Sequence, residues 1–437
     1  MFQLKFLIVC FAFTKLSFAY QEYLSHGPEQ VHISYGAGPS QMYVTWLTHE
    51  QPSGPPVVEY GIQSGKYELK KHGNMTKFTT AYSRYIYRVA LEDLKPNTTY
   101  YYRCGFEQEL SNEFNFRTRP QDQENWSPRI AVYGDMGLVN GQSFPFLKQQ
   151  VSKNAYDAIF HVGDIAYDMH SGNGLYGDLF MREIEPIAAN VAYQVVVGNH
   201  ENDGYNFTDY DSRFTMIDEN SGKMNNMFYS FNIGPAHVIG FSSEFYYYTE
   251  YGVSQIHNQF EWLEQDLIEA NKPENRAKHP WIITMAHRPM YCSTADDDDC
   301  TENESILRKG IPIVNAYGLE DLFYKYGVDI IFGAHEHTYE RLFPVYNRKV
   351  YNGLNNDAYD RPKAPVHVLV GSAGCPENID PFIANPKPWS AKRISNYGIT
   401  EMSILNKTHI RFRQRDTTSN GAMVDAFHII KGHWNQY

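Results

Sequence analysis

The chain has 437 residues, with 38 Lys and Arg against 50 Asp and Glu, which gives a formal net charge of −12 at pH 7. That acidity excludes a protein that binds nucleic acid through bulk positive charge. Hydrophobic residues make up 42% of the chain and aromatic residues 15%, which excludes a disordered chain and, at this length, favours two folded domains. Five cysteines are too few for a fold built mainly on disulfides.

The first 19 residues have the pattern of a secretory signal peptide. Lys5 precedes an apolar run from Phe6 to Phe13, and a cleavage site with small residues ends at Ala19. The alternative, a membrane anchor, is disfavoured because the run is too short to cross a bilayer. We therefore expect residues 1–19 to be removed, leaving no membrane anchor, and a secreted or lysosomal location.

Two further features fit the oxidising secretory route. Acceptor sites for N-glycosylation, Asn-x-Ser/Thr, occur at Asn74, Asn97, Asn125, Asn206, Asn303 and Asn406. Four cysteines remain once Cys10 leaves with the signal peptide, and an even number suggests bridges. We favour a Cys292–Cys300 disulfide, which closes a short loop. Cys104 and Cys375 are then either a second pair or free thiols.

Residues 20–120 have the pattern of an antiparallel β-domain. Val31–Tyr35 and Met42–Leu47 alternate in hydrophobicity, and turn-forming Gly, Pro and Asn residues separate such segments. Leu94–Tyr100 resembles the tyrosine corner of fibronectin type III domains, where a Tyr hydroxyl ties a strand to the preceding turn. We predict a fibronectin type III-like β-sandwich, with an unrelated β-domain as the alternative, followed by a polar linker over residues 121–128.

From residue 129 to residue 437, strands alternate with helices, which indicates a layered α/β domain. The predicted strands, rich in β-branched residues, are Arg129–Tyr133, Ala158–Val162, Tyr193–Val197, Trp281–Met285 and Val328–Phe332. Val253–Ala270 has apolar residues at helical spacing, with Ser254 as the expected N-cap. After about residue 365 the chain is strand-rich again.

Each of these α/β strands runs into a short polar cluster. The clusters are Gly134-Asp135-Met136-Gly137, Gly163-Asp164-Ile165-Ala166-Tyr167, Gly198-Asn199-His200-Glu201, Ala286-His287-Arg288-Pro289 and Gly333-Ala334-His335-Glu336-His337. Ligands of open α/β sheets bind at the carboxyl ends of strands, so the clusters can converge on one volume. Their oxygen and nitrogen donors suit iron, zinc or manganese and exceed what one tetrahedral site needs. We therefore expect a two-metal centre of the kind that promotes displacement at phosphorus.

The ordered motifs resemble those of the metallophosphoesterase superfamily and, within it, the purple acid phosphatases of the long, two-domain animal type. The likeness rests on the five clusters and on residues 180–189 and 287–293, and it covers essentially all of the chain after the signal peptide. It implies the β-sandwich followed by an αββα-layered metallophosphoesterase domain over residues 129–437. Most of the superfamily has a histidine ligand where this chain has Gly137. Purple acid phosphatases use a tyrosine instead, here Tyr167.

The resemblance also implies roles for individual residues. Fe(III) would be held by Asp135, Asp164, Tyr167 and His337, and a divalent Zn, Fe or Mn ion by Asp164, Asn199, His287 and His335. Asp164 would bridge the two ions, and the tyrosinate would favour Fe(III) and give the family its colour. His200 would contact phosphate and assist departure of the alcohol. The implied reaction is in-line attack of a metal-bound hydroxide on a small phosphate monoester.

One departure from the family and two alternative functions accompany this interpretation. Relatives carry a second pocket histidine where this chain has Asp296–Asp299. A carboxylate of that loop, held by the Cys292–Cys300 bridge, could be the second proton donor, or the loop could simply be solvated. The same centre could also serve a phosphodiesterase or a nucleotide pyrophosphatase. A secreted binding protein with an idle metal site is disfavoured because all seven ligand positions are filled.

Overall fold

The structure is a computed structural model that describes residues 27–295, 300–301, 305–312, 316–354 and 357–432. The predicted signal peptide, the acceptor site at Asn303 and the acidic loop Asp296–Asp299 lie outside these residues. Within the described ranges, no helix is both long and apolar enough to cross a membrane.

The N-terminal part consists of two antiparallel sheets. Its strands are β1 (Glu29–Tyr35), β2 (Met42–Thr48), β3 (Val57–Gly61), β4 (Leu69–His72), β5 (Asn74–Thr79), β6 (Ser83–Leu91), β7 (Thr99–Phe106), β8 (Glu109–Leu110) and β9 (Phe114–Arg117). One sheet has the strand order β1-β2-β6-β5, and the other has the order β4-β3-β7-β8 with β9 also paired to β7.

Aromatic residues join these two sheets into a sandwich. Trp46 stacks on Tyr87 with ring centroids 5.3 Å apart, and Tyr87 meets Phe106 of the other sheet edge-on at 5.1 Å. The Tyr100 hydroxyl accepts a hydrogen bond from the backbone N–H of Lys95 at 2.9 Å. The prediction of a sandwich with a tyrosine corner is therefore confirmed.

The other elements form the α/β domain. Its strands are β10 (Arg129–Tyr133), β11 (Met136–Gly137), β12 (Ala158–Val162), β13 (Ile165–Ala166), β14 (Ala192–Val196), β15 (Tyr229–Ile233), β16 (Ala236–Gly240), β17 (Trp281–Met285), β18 (Gly310–Ile311), β19 (Ala316–Tyr317), β20 (Ile330–Gly333), β21 (Tyr339–Leu342), β22 (Val345–Tyr346), β23 (Lys349–Val350), β24 (Val366–Val370), β25 (Ser390–Ile394), β26 (Gly398–Asn406), β27 (His409–Asp416) and β28 (Ala422–Ile430). Its helices are α1 (Phe144–Ser152), α2 (Ser171–Ala188), α3 (Thr208–Arg213), α4 (Ser254–Ala270), α5 (Pro273–Lys278), α6 (Ile306–Lys309) and α7 (Leu319–Lys325), and 3₁₀ turns cover Asn199–Glu201, Glu244–Tyr246 and Thr249–Tyr251.

Two mixed sheets lie face to face in this domain. The first sheet has the order β14-β12-β10-β26-β27-β28, with β10, β12 and β14 parallel. The second has the order β15-β16-β17-β20-β24-β21-β25, with β16, β17, β20 and β24 parallel. Phe160 of the first sheet meets Phe231 of the second edge-on, with centroids 5.7 Å apart. Part of the hydrophobic core of the domain therefore lies between the two sheets.

Helices cover the outer faces of both sheets. On β12, His161 points away from the second sheet and lies 6.2 Å from Phe180 of α2, ring to ring. On β17, Ile283 packs between the sheets while its neighbour Ile282 packs with Leu263 of α4. This alternation is the two-residue period of a strand buried on both faces. The αββα layering is confirmed.

The N-terminus of α4 differs from its prediction. Val253 occupies the N-cap position without a side-chain hydrogen bond, and Ser254 is already the first helical residue. Gly252, at a φ of 110°, makes the turn into the helix, so the helix begins before Ser254 could cap it. The expected Ser254 N-cap was wrong by one residue.

A buried charged cluster joins the two domains. Asp178 of α2 binds Arg84 of β6 at 2.7 Å and Arg213 of α3 at 2.9 Å, and none of the three side chains is more than 2% exposed. Arg213 also binds Asp209 at 2.6 Å. These four residues, called the Asp178 cluster below, hold equal numbers of acids and arginines.

Candidate metal centre

All seven predicted ligand residues lie at the carboxyl ends of the parallel strands. Asp135, Asp164 and Asn199 follow β10, β12 and β14 of the first sheet, whereas His287, His335 and His337 follow β17 and β20 of the second. Tyr167 follows the short strand β13, which pairs with β11 and so ties the first two loops together. The two sheets therefore contribute to one site from opposite sides.

One group of donors surrounds the Nε2 atom of His287. Asn199 Oδ1 lies 2.9 Å from it, Asp164 Oδ2 3.1 Å and His335 Nδ1 3.2 Å. His287 Nδ1 lies 3.0 Å from the carbonyl oxygen of Val162, and donation to that carbonyl leaves a lone pair on Nε2. Two histidine nitrogens and two oxygens thus point at one small volume.

A second group of donors lies on the other side of Asp164. Tyr167 Oη is 2.7 Å from His337 Nε2 and 3.4 Å from Asp135 Oδ1. His337 Nε2 is 3.6 Å from that same Asp135 oxygen. The ligand atoms of Asp135, Asp164 and His337 all lie within 4.8 Å of one another, as do those of Asp164, His287 and His335. Asp164 belongs to both groups and is the residue placed to bridge them.

The donor set fits two cations. In the described part of the chain, the buried Oδ2 atom of Asp164 accepts no hydrogen bond, although a buried carboxylate oxygen is costly without a partner. Burial raises the pKa of Asp135 well above its ordinary range, and the negative charge of Asp164 adds to that rise. Burial also raises the pKa of the Tyr167 hydroxyl. Burial alone would also raise the pKa of Asp164, but the charge of His287 lowers it. The acids that the chain does not compensate are thus Asp135 and the Tyr167 phenol, where bound metal ions would supply the positive charge.

Backbone strain marks the same loops. Asp135, Asp164, Tyr167 and His335 all have φ between 52° and 70°, a region that residues other than glycine seldom adopt. Glu201 supports this geometry, because its carboxylate accepts hydrogen bonds from the backbone N–H groups of Asp164, Ile165 and Gly198 at 2.8–2.9 Å. A Cβ atom on Gly198 would lie 2.3 Å from Asp164 Oδ1. Glycine is needed there for close approach.

His200 lies over the second group of donors. Its ring centroid is 4.2 Å from that of Tyr167, and its Nδ1 lies 2.9 Å from Asp168 Oδ1. Its Nε2 faces Asp164 Oδ2 at 3.9 Å and Glu377 Oε1 at 3.6 Å. Burial lowers the pKa of His200, but the hydrogen bond to Asp168 and the charge of Asp164 outweigh it and raise the pKa to about 9. Asp168 therefore fixes the ring with Nε2 toward the centre.

Arg288 places a positive charge at the other side of the centre. Its Nη1 lies 2.9 Å from His335 Nε2, and its Nε donates to the buried Glu244 at 3.0 Å. The guanidinium also lies over the ring of Tyr247, 4.2 Å from its centroid. Three neighbours thus hold one cation beside the first group of donors, where it can attract an anion.

The favoured disulfide is present, with the Cα atoms of Cys292 and Cys300 5.2 Å apart. Cys300 Sγ lies 3.0 Å from the carboxylate of Glu336, and the Thr294 hydroxyl donates to that carboxylate. Glu336 stands between two predicted ligands, so the bridge buttresses the segment that carries them. Cys104 and Cys375 are buried free thiols, and the possibility that they pair is therefore excluded.

Four residues of the site had no predicted role. Glu201 and Arg288 belong to the recognised motifs, but only their contacts show what they do. Asp168 follows Tyr167 directly and carried no spacing signal of its own. Glu377 comes from a distant loop, where nothing in the local sequence indicates a site. The proposed donor among Asp296–Asp299 lies outside the described residues and stays a prediction.

Comparison of the sequence with models of known protein families shows that the chain is similar to phosphoesterases. Residues 128–339 match the model of the calcineurin-like phosphoesterases, consistent with two stacked sheets that carry metal donors at their strand ends. Residues 28–118 match the purple acid phosphatase N-terminal domain, and residues 364–426 match the iron/zinc purple acid phosphatase-like protein C domain. The exact boundaries 20–120, 121–128 and 129–437 stay predictions.

Individual proteins with a similar sequence identify the family within the phosphoesterases. The chain is 47% identical over 412 residues to acid phosphatase type 7 of Homo sapiens, covering 93% of this chain and 92% of the relative. It is 33% identical to probable purple acid phosphatase 20 of Arabidopsis thaliana, covering 88% and 83%. The chain belongs to the purple acid phosphatase family. The expected family and enzyme class, an acid phosphatase, are thereby confirmed.

Solved structures support the fold. A purple acid phosphatase from yellow lupin (Lupinus luteus) seeds superposes with a TM-score of 0.77 at 24% identity, covering 93% of this chain and 75% of that one. A structure of PhoD superposes with a TM-score of 0.60 at 12% identity, covering 94% and 91%. The two-domain architecture is therefore shared well beyond recognisable sequence similarity.

Proposed function

We propose that this protein is a secreted or lysosomal acid phosphatase that hydrolyses small phosphate monoesters at a dinuclear metal centre. Asp135, Asp164, Tyr167 and His337 would hold Fe(III). Asp164, Asn199, His287 and His335 would hold the divalent ion, which is Zn, Fe or Mn. The observation that carries the proposal is the convergence of seven donors around Asp164, whose buried Oδ2 atom accepts no hydrogen bond in the described part of the chain.

The family's metals, when bound, supply Lewis acidity that neutralises phosphoryl oxygens and increases the acidity of a bound water. The chain's own residues set the charge of the site around them. Tyr167 and two aspartates provide anionic oxygens on one side, whereas the other side has Asn199 and two histidines, which bind a metal ion in their neutral form. That asymmetry favours a trivalent ion beside a divalent one, and it leaves the divalent side open to a phosphate anion.

His200 is placed to serve the leaving group. Asp168 accepts a hydrogen bond from its Nδ1 at 2.9 Å and so favours the imidazolium form of the ring. In that form Nε2 also carries a proton that can be passed on, and this atom faces the Asp164 bridge. In a monoester held between the donor groups, Nε2 would protonate the departing alcohol. Arg288, beside His335, adds positive charge for the phosphate dianion from the opposite side.

Passage through the secretory pathway is supported by the acceptor sites. Asn74, Asn97, Asn125, Asn206 and Asn406 are all exposed, as glycosylation requires. The predicted signal peptide and the Cys292–Cys300 bridge are consistent with the same route. Amino-terminal sequencing of protein secreted by cultured cells tests it, and a mature chain that still begins at Met1 would contradict it.

The decisive experiment combines metal analysis with a substrate panel on the secreted protein. We expect two metal ions per chain, one of them iron, a visible absorption band, and turnover of p-nitrophenyl phosphate at acidic pH. Faster hydrolysis of bis-p-nitrophenyl phosphate or ATP would instead support the phosphodiesterase or pyrophosphatase alternative. His200→Ala should keep both metals and lose turnover, while His257→Ala, at a half-exposed position on α4, serves as the matched control.

A further inference from the structure

A polar cleft of about 260 Å³ lies between the two domains, away from the metal centre. Arg129, Asp157 and Ala192, at or just before the amino ends of β10, β12 and β14, form one wall. The metal donors follow the carboxyl ends of the same strands. The cleft therefore lies at the opposite edge of the sheet and cannot be part of the phosphatase site.

The chemistry of the cleft suits a neutral, hydroxyl-rich ligand. Asn115, Asn154 and Asn190 contribute amide groups, and Tyr101 and Trp126 contribute aromatic rings. Of the three charged residues that line the cleft, Arg129 and Asp157 lie 3.6 Å apart and compensate each other, which leaves the single positive charge of Arg117. Aromatic surface beside several amides can pack against a sugar ring and hydrogen-bond its hydroxyl and acetamido groups. A phosphate or another anion would find little net positive charge here.

One of the predicted glycosylation sites is itself part of this cleft. Asn97 lines it together with Thr99 and Arg117. Arg117 Nη2 donates to Asn97 Oδ1 at 2.6 Å, which fixes the plane of the side-chain amide. The hydrogen bond uses the oxygen, whereas a glycan is attached through the nitrogen. The attachment point thus sits at the cleft, with its orientation held by a neighbour.

We propose that the N-glycan of Asn97 folds back into this cleft and links the N-terminal sandwich to the α/β domain through its first N-acetylglucosamine. Attachment joins Nδ2 of Asn97 to C1 of the sugar, with loss of one amide proton and departure of the lipid diphosphate that carried the oligosaccharide. The cleft has room for roughly one such residue. The proposal rests on the passage through the secretory pathway proposed above.

The other acceptor sites provide an internal contrast. Asn74 and Asn206 line neither this cleft nor the neighbouring depression of about 250 Å³, which is lined by Asn125 and Asn406. Glycans at Asn74 and Asn206 should therefore extend into solvent. Comparison of Asn97 with these two sites separates a seated glycan from glycosylation in general.

The test changes Thr99 rather than Asn97, because Asn97 has a φ of 52° and its replacement would disturb the turn. Thr99→Val removes the hydroxyl that the acceptor motif needs, and Thr99→Ser keeps it. Glycopeptide mass spectrometry establishes occupancy at each site. Native protein is then treated with a peptide N-glycosidase, and release is followed site by site. A third variant, Trp126→Ala, removes an aromatic wall while leaving the acceptor motif intact.

We expect the Asn97 glycan to be released at least ~10-fold more slowly than those of Asn74 and Asn206, and Trp126→Ala to remove this protection. Thr99→Val should melt about 2 °C or more below Thr99→Ser. Equal release rates at the three sites, equal melting temperatures, or an empty Asn97 beside occupied Asn74 and Asn206 would overturn the proposal. If every acceptor site were empty, the secretory assignment itself would fail and the proposal with it, whatever the phosphatase activity.

Discussion

The metal centre and the Asp178 cluster both bury aspartates almost completely, yet different groups compensate the charge in the two regions. Asp178 contacts Arg84 and Arg213 within 2.9 Å, and although burial alone would raise its pKa, these arginines hold it well below its ordinary value. Around Asp135 and Asp164 the positive partners are histidines: burial raises the pKa of Asp135, whereas the charge of His287 lowers that of Asp164, although burial alone would raise it.

The difference indicates a structural role for one region and a metal-binding role for the other. The two arginines compensate the negative charge of the buried Asp178, so this cluster can join the two domains without a bound ion. At the metal centre, histidines surround the buried acids and the phenol, with Arg288 at one side, and we expect bound metal ions to complete the compensation of charge. Loss of one aspartate should therefore reduce metal binding in one region and the stability of the fold in the other.

The largest expected effect is that of Asp164→Asn. The amide keeps the shape and the Oδ1 acceptor for the His200 N–H, but it cannot bridge two cations as an anion. We expect fewer than two metal ions per chain and a loss of kcat/KM of about 10³-fold or more. Full metal content with normal turnover would remove Asp164 from the proposed role.

Asp178→Asn tests the other region. It leaves Arg84 and Arg213 buried without their shared carboxylate, which should lower the free energy of unfolding by about 3–5 kcal/mol. Metal content per folded chain should not change. Glu183→Gln, on the same helix in a partly exposed pair with Lys148, is the matched control and should cost at most about 1 kcal/mol. Similar urea midpoints for the two variants would contradict the contrast.

Tyr167→Phe should have an intermediate effect on the metal centre alone. The ring can keep its contact with His200, but the phenolate donor to iron is lost. We expect the visible band to disappear and iron to dissociate at least ~10-fold more readily. Tyr133→Phe, which alters a buried tyrosine bound to Tyr193, should keep the colour. A purple Tyr167→Phe protein would show that another residue binds the iron.

The smallest expected effect is a pH dependence of stability caused by Asp266, a buried acid whose charge is compensated by a histidine. Asp266 lies 2.7 Å from His237 Nε2. Burial lowers the pKa of His237, but the charge and hydrogen bond of Asp266 outweigh it and raise the pKa above 6.5. The stabilisation that protonated His237 gives to the fold is complete at a pH below the unfolded-state pKa. It is lost as the pH rises through the folded-state pKa, where the free energy of unfolding falls by at most about 1.4 kcal/mol per pH unit. Urea unfolding across that range should show the slope in the parent and not in His237→Gln.

Much of the fold follows from local pattern. Arg129–Tyr133, Ala158–Val162 and Trp281–Met285 have the predicted bounds, because apolar, partly β-branched runs with a glycine or a proline next to them leave little choice of strand ends. The convergence of the donors follows from the same pattern, since parallel strands carry their carboxyl ends to one edge. The tyrosine corner was visible because its residues are close in sequence.

What escaped prediction depends on contacts between distant segments. Glu377 reaches His200 from another loop, and no periodicity marks it. The fate of Cys104 and Cys375 was open because spacing says nothing about distance in space. The structure places Cys104 in the sandwich core and Cys375 3.5 Å from His337 Nδ1, so they cannot meet. The role of Arg288 likewise required the positions of Glu244 and His335.

The donors come from both sheets, and this has a consequence for assembly. Asp164 and Asn199 follow strands of the first sheet, and His287 and His335 follow strands of the second, so an ion bound by all four cross-links the two sheets. The free energy of metal binding then adds to the stability of the whole α/β domain. Newly synthesised chains would therefore be least stable before they bind metal ions, and removal of the ions by a chelator would lower the free energy of unfolding as well as abolish the activity.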